Sequence, residues 1–302
     1  MESLFITGAT GFVGRSLLTQ LDSSRYQIIY CLSRTPTNGE NAWPLGVKMI
    51  KGSLGEPESY ASALADCRTV IHLAAVTGKA APRQYFEVNA EGTKRLIEEC
   101  ERSGVENFMH VSTIAVKYKD KARYYYAQSK EVAEQAVKES RLRYLIVRPT
   151  IVIGPGGGPW RALSKLARGP LVALPGDGKA RMQPLALEDL VDCLRRILAE
   201  NLFTNEVIEL GGPEALTCEQ FLKRIHARYR GKEPAVFRFP LKPLIAMLSV
   251  TEKIFSSMTP VTVGQLSAFW QDSTAEPVSA PGLAGLQTTG VDQLIERMFA
   301  YE

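Results

Sequence analysis

A chain of 302 residues, 45% hydrophobic and 23% charged, is long enough to bury the core of one large α/β domain with an appendage. Its 36 basic and 32 acidic residues leave a net charge of +4 with no dense basic run, which argues against a nucleic-acid surface. Five scattered cysteines and three distant histidines give neither a disulfide framework nor a metal-ligand spacing, so reduced thiols, no metal, no secretory leader, no membrane span and a cytoplasmic home are expected.

The first half alternates strand and helix. A strand at residues 4–7 runs into a glycine loop and a helix at 14–21. Strands follow at 26–32 and 47–50, helical character at 56–64, a strand at 69–73 and a helix at 89–103. Strands at 107–111 and 144–148 enclose a helix at 124–140. This βαβα order predicts an α/β fold with a doubly wound parallel sheet.

The texture changes after residue 153. Gly/Pro loops, "GPGGGPW" and "LPGDGKA", flank a helix at 160–168; "LALEDLVDCLRRILAE" runs from strand into helix, and 206–209 is a short strand. Beyond residue 213 the reading is helical, at 217–229, 241–256 and 261–269. The most apolar of these, "LKPLIAMLSVTEKIF", has only two flanking lysines and no polybasic face, so it reads as a helix on the core or along a cleft rather than on a membrane.

Three glycines, Gly8, Gly11 and Gly14, separate the first strand from the first helix, with Thr10 inside the loop. In that context Gly8 allows a sharp turn, Gly11 lets a pyrophosphate approach the backbone, and Gly14 lets helix and strand pack closely. The second strand ends at Ser33 and Arg34 with no carboxylate for a free ribose 2′-hydroxyl. Arg34 can fork onto a 2′-phosphate, which points to NADP, with NAD as the other possibility.

In "YYYAQSK", Tyr126 and Lys130 are four apart and share a helix face. An ammonium near the phenol is expected to lower its pKa and suit it to proton transfer. The preceding strand ends in Ser112 and Thr113, and either hydroxyl is placed to hold a substrate oxygen.

Together "TGATGFVG", "VIHLAA", "VNAEGTKRLIEEC", "HVST", "YAQSK", "RPTIVIGPG" and "PGDG…LALEDL" resemble the extended short-chain dehydrogenase/reductase superfamily, which includes the NAD(P)-dependent epimerase/dehydratases. The resemblance implies a Rossmann domain at 1–154, with 183–212 returning to it, and a smaller, mainly helical substrate domain from 155–182 and 213–302. It implies Thr113 as the hydroxyl, Tyr126 as acid/base, and Lys130 as its partner and a ribose ligand. It further implies that Phe12 and Val13 offer pyrophosphate amides, that Leu73, Ala74 and Ala75 line the dinucleotide, and that Asn89 lies near it. Pro149, Ile151 and Val152 fall beside the nicotinamide; where relatives often place Asp near the adenine this chain has Ser53, followed by Leu54. Ile114 and Ala115 stand where the 4,6-dehydratases carry Asp-Glu, which disfavours sugar dehydration, and His72 reads as a packed strand residue.

The stretch "TPVTVGQLSAFWQDSTAEP" resembles an atypical branch that contains the accessory subunit of respiratory complex I. Members of that branch often lack the tyrosine–lysine pair, which this chain keeps. The resulting expectation is an NADP(H)-dependent oxidoreductase or epimerase-type enzyme, monomeric or homodimeric. Its substrate is a sugar nucleotide or another small carbonyl or alcohol, with Gly156, Gly157 and Arg181 as candidate contacts. The alternative is a non-catalytic NADP(H)-binding accessory or redox-sensing module of a partner complex.

Overall fold

The computed structural model describes residues 2–35, 43–241, 243, 245, 263–266, 269–277, 281–283 and 285–302. Apart from residues 241, 243 and 245, the helix read at 241–256 lies outside them.

Seven parallel strands form the main sheet: β1 (Glu2–Thr7), β2 (Tyr26–Ser33), β3 (Val47–Lys51), β4 (Cys67–His72), β5 (Asn107–Val111), β6 (Arg143–Pro149) and β7 (Glu206–Leu210). Their order is β7-β6-β5-β4-β1-β2-β3. Side chains alternate between two apolar layers, as a period of two requires. Leu4, Ile6, Ile29, Cys31, Met109, Leu145 and Val147 face one core. Phe5, Tyr30, Leu32, Phe108 and Ile146 face the other. The central strands are buried on both sides, so they read as continuous apolar runs and need helices on both faces, while the edge strand β3 keeps Lys48 and Lys51 exposed.

One face is covered by α1 (Phe12–Gln20) and the helix Leu187–Ala199, which supply Leu17, Leu18, Leu190, Leu194 and Ile197. The other is covered by α2 (Gly92–Ser103) and α3 (Tyr125–Glu139), which supply Leu96, Ile97, Cys100 and Val137. A third apolar cluster, beyond Ile153, joins the helices Gly158–Ala167, Cys218–Arg230 and Val291–Ala300 through Trp160, Leu163, Phe221, Ile225 and Leu294.

Two local expectations change. The helix read at 89–103 starts earlier, at Pro82, and passes through a π-helical turn, Phe86–Glu91, before α2. Proline at the first helical position sets that start, and Gln84 Oε1 accepts from the Ala81 amide at 3.1 Å. The helical reading past residue 213 also misses a strand, Ala235–Phe239, paired in parallel with Leu171–Pro175. Both are short, and 171–175 follows a Gly-Pro pair that reads locally as a loop. Among the described residues no helix is long and apolar enough to cross a membrane.

Candidate active site

The chain reverses direction across the sheet between β1 and β4, and the crevice beyond their C-terminal ends is where such folds take a ligand. Gly8 sits there at φ +73°, and a Cβ on it would lie 2.6 Å from the backbone of Leu73 and Ala74. A Cβ on Gly14 would lie 2.3 Å from the Gly8 carbonyl and 2.7 Å from Ala9 Cα. Those two glycines are demanded by the protein's own packing. Gly11 is different: its Cβ would meet only the Gly8 carbonyl, at 3.1 Å, so its smooth outer face is free for a ligand.

Gly11 also precedes α1 with no side-chain cap. The Phe12 and Val13 amides at this helix start are therefore donors at its positive end, a fit for a pyrophosphate. Thr10 accepts from Arg15 Nε through its carbonyl at 2.9 Å, and the Arg15 guanidinium lies over the Trp43 ring. At the end of β2, Ser33 is buried and Arg34 exposed. The Ser33 carbonyl accepts from Gly52, which ties this edge to Ser53 and Leu54; Leu54 is buried against Gly92.

The end of β4 is fixed by a closed set of hydrogen bonds. Thr93 Oγ1 donates to the Asn89 carbonyl at 2.6 Å, so towards His72 Nε2, at 2.8 Å, it can only accept. His72 therefore carries its proton on Nε2. Its Nδ1 accepts from the Thr7 hydroxyl at 2.7 Å, and that oxygen accepts from the Ala74 amide at 3.2 Å. His72 thus sets the backbone where residues 73–75 line the crevice. Asn89, turned inward by the π-helical turn, holds both the amide and the carbonyl of Val76 at 2.7 and 3.0 Å and donates to Ser129 on α3 at 3.0 Å.

Thr113 follows β5 and caps the next turn by accepting from Ala115. Its side chain lies beside the Tyr126 phenol and pulls the phenol's pKa down. Tyr126 is half-buried beside the rings of Tyr85 and Tyr124. Lys130 is only 1% exposed and donates from Nζ to the Val111 carbonyl at 2.9 Å, with His110 Nε2 at 3.0 Å.

These positions correct one expectation. Burial pushes the Tyr126 phenol up to about 12, against the lowering pull of Thr113. Burial also brings Lys130 down to about 7, against the pull of Glu134. The amine is turned to the strand end and has lost much of its charge near neutrality, so it does not lower the phenol.

Pro149 ends β6, and Thr150 donates from Oγ1 to the Gln183 carbonyl. Ile151 and Val152 continue into a two-residue strand, Val152–Ile153. The following loop folds onto α1: a Cβ on Gly157 would lie 2.9 Å from the Phe12 ring, and Gly156 takes φ +75°. Arg181 is exposed; its amide donates to Asp272 and its carbonyl accepts from Ser273, both at 2.8 Å. Its backbone docks the 271–276 segment, whose Gln271 also exchanges hydrogen bonds with the Asp120 backbone.

Thr7, Tyr85, Thr93, His110 and Ser129 escaped the sequence reading. Thr7 and His110 each stand as a polar residue inside an apolar strand, whereas Tyr85, Thr93 and Ser129 lie in polar stretches that give no local signal. Among the described residues no three His, Cys, Asp or Glu side chains converge on a metal-sized site. A cavity of about 320 Å³ opens at the opposite, N-terminal end of the strands, by Glu2, Tyr26 and Asn107, away from all of these groups.

A family model described as "NAD dependent epimerase/dehydratase family" matches residues 4–211. The C-terminal stretch likened to the complex I branch lies beyond that match. The chain is 31% identical over 163 residues to a ceramide reductase of Caulobacter vibrioides (strain NA1000 / CB15N), covering 54% of this chain and 50% of that protein. It is 29% identical over 178 residues to a UDP-glucose 4-epimerase of Vibrio cholerae, covering 51% and 53%. The chain thus spans about half the length of these curated relatives. The structure of MoeE5 in complex with UDP-glucuronic acid and NAD shares the fold, with a TM-score of 0.73 at 22% identity, covering 99% of this chain and 98% of that one.

Proposed function

The chain belongs to the NAD dependent epimerase/dehydratase family, and from that premise we propose an NADP(H)-dependent oxidoreductase or epimerase-type enzyme acting on a carbonyl or alcohol. The observation that carries the reading is the half-buried Tyr126 phenol beside Thr113, with Lys130 one helical turn on, at the C-terminal end of the sheet where α1 presents uncapped amides. When bound, the dinucleotide supplies hydride exchange at nicotinamide C4. Phe12 and Val13 bind its pyrophosphate, Arg34 its 2′-phosphate, and residues 73–75 and 149–152 flank it.

Thr113 orients the substrate oxygen by a hydrogen bond. Tyr126 Oη gives the proton to that oxygen in reduction and takes it in oxidation. A phenol held up at about 12 stays protonated at neutral pH, which suits reduction. Lys130 supports this end of α3 and has one N–H beyond those used by Val111 and His110. The relatives support two substrate classes, a sugar nucleotide from the epimerase and a lipid-like carbonyl from the ceramide reductase.

Tyr126→Phe tests the reading. On a panel of sugar nucleotides and carbonyl compounds kcat is expected to fall by about 10²–10⁴, while NADPH affinity is retained. One observation favours a second reading, a non-catalytic NADP(H)-binding module: the amine faces His110 rather than Tyr126. Dinucleotide binding without wild-type turnover on any panel member would carry that reading instead.

A further inference from the structure

A buried ammonium needs acceptors on every N–H it keeps. Among the described residues no carboxylate is ion-paired with Lys130. Glu134, one turn along the same helix, is committed to Arg148 through bonds of 2.9 and 2.6 Å. The described contacts of Nζ are the Val111 carbonyl and His110 Nε2.

His110 cannot move aside. It is fully buried, and its ring stacks on His72 at 5.2 Å, which is itself pinned at both nitrogens by Thr7 and Thr93. Its other nitrogen, Nδ1, has no hydrogen-bond partner among the described residues. A buried orphan of this kind is costly, so the ring is placed for its contact with the amine rather than for a network of its own.

We propose that His110 is a positioning residue: through Nε2 it holds the Lys130 amine against the end of β5, one helical turn from the Tyr126 phenol. The inference rests on the reading of Tyr126 and Lys130 as the working pair. Two nitrogens at 3.0 Å require one proton between them. Either the ammonium donates to an unprotonated Nε2, or Nε2–H donates to a neutral amine. The two groups therefore titrate as a coupled pair. Both histidines are disfavoured as cations, by burial first and by Lys130 next. With the rings neutral, the ammonium form needs His110 as its acceptor. The charged and titratable groups around the amine are His110 from β5, His72 behind it on β4 and Glu134 on its own helix, with Tyr126 one turn back. Arg148 of β6 stands beyond Glu134.

The experiment is lysine-side-chain ¹⁵N NMR on the apoprotein and on the protein with NADP⁺, assigned with Lys130→Gln, from weakly acidic to basic pH. His110→Phe keeps the ring stack and removes the acceptor, and its Nζ midpoint is expected to fall by about one pH unit. His110→Gln restores an acceptor oxygen and is expected to return the midpoint towards wild type. The same shift is expected in the pH limb of kcat, with KM unchanged. An unmoved midpoint in His110→Phe overturns the proposal, whatever happens to turnover. A moved midpoint in a protein whose wild type turns nothing over supports the positioning and sinks the enzyme reading instead. If the Phe variant does not fold, histidine ¹⁵N spectra of the wild type decide: a hydrogen-bonded Nε2 supports the proposal, and a free one overturns it.

Discussion

At the scale of single residues, the site places an amine where its charge is expensive. Lys130 sits at about 7 in the folded chain against an ordinary 10.5, because burial disfavours the ammonium. Between those values the unfolded chain binds the proton and the folded one does not, so stability rises with pH through that window and the penalty is complete below about 7. Lys130→Met is expected to stabilise the protein at neutral pH by about 1–3 kcal/mol, the gain being trimmed by the orphaned Val111 carbonyl and His110 Nε2. The same variant is expected to flatten the pH dependence of urea unfolding between neutral and pH 10. A loss of stability at neutral pH would show that the amine is a net structural asset and not a functional strain.

At the scale of elements, the helix Val291–Ala300 is anchored by the residue that ends its turn. The Glu302 carboxylate accepts from Trp160 Nε1 at 3.1 Å, Ser164 Oγ at 3.2 Å and Tyr229 Oη at 2.6 Å, and pairs with Arg168. Burial raises this carboxyl, but the hydrogen bonds from Tyr229, Arg168 and Trp160 outweigh it and hold it below the usual carboxylate range. Its stabilisation is therefore present above the ordinary glutamate pKa and lost as pH falls through the lowered one. Glu302→Gln is expected to lower Tm at pH 7, by an amount that shrinks as the pH is taken down through the acid range, in thermal melts run side by side. Equal melts of variant and wild type at pH 7 would remove the anchor. The π-helical turn Phe86–Glu91 acts at the same scale: it turns Asn89 inward, where one side chain joins the loop after β4 to α3.

At the scale of the whole molecule, the parallel sheet and its two helical layers create one crevice. The groups proposed to bind the dinucleotide come from the C-terminal ends of β1, β2, β4 and β6. Ligand occupying that crevice stabilises only the folded chain, by about 2.7 kcal/mol at a hundred times Kd. NADP⁺ at that level is expected to raise Tm by about 4 °C, and NAD⁺ at the same concentration by less. Arg34→Ala is expected to bring the two dinucleotides level. Identical shifts for both in the wild type would reassign the cofactor, and no shift for either would remove the dinucleotide site.

The sequence by itself determined what depends on near neighbours. The left-handed turn at Gly8, the crowding at Gly14, the period-two alternation of Leu4, Phe5 and Ile6, and the shared helix face of Tyr126 and Lys130 are all set within a few residues. Only the tertiary structure decided where the Lys130 amine points, because its partner His110 lies twenty residues back on another element. The same holds for the His72 proton, which is assigned by Thr7 and Thr93, and for the parallel pairing of Leu171–Pro175 with Ala235–Phe239. Local sequence fixes backbone freedom and which face is apolar. Charge, tautomer and pairing depend on burial and on partners that only the folded chain brings within hydrogen-bond reach.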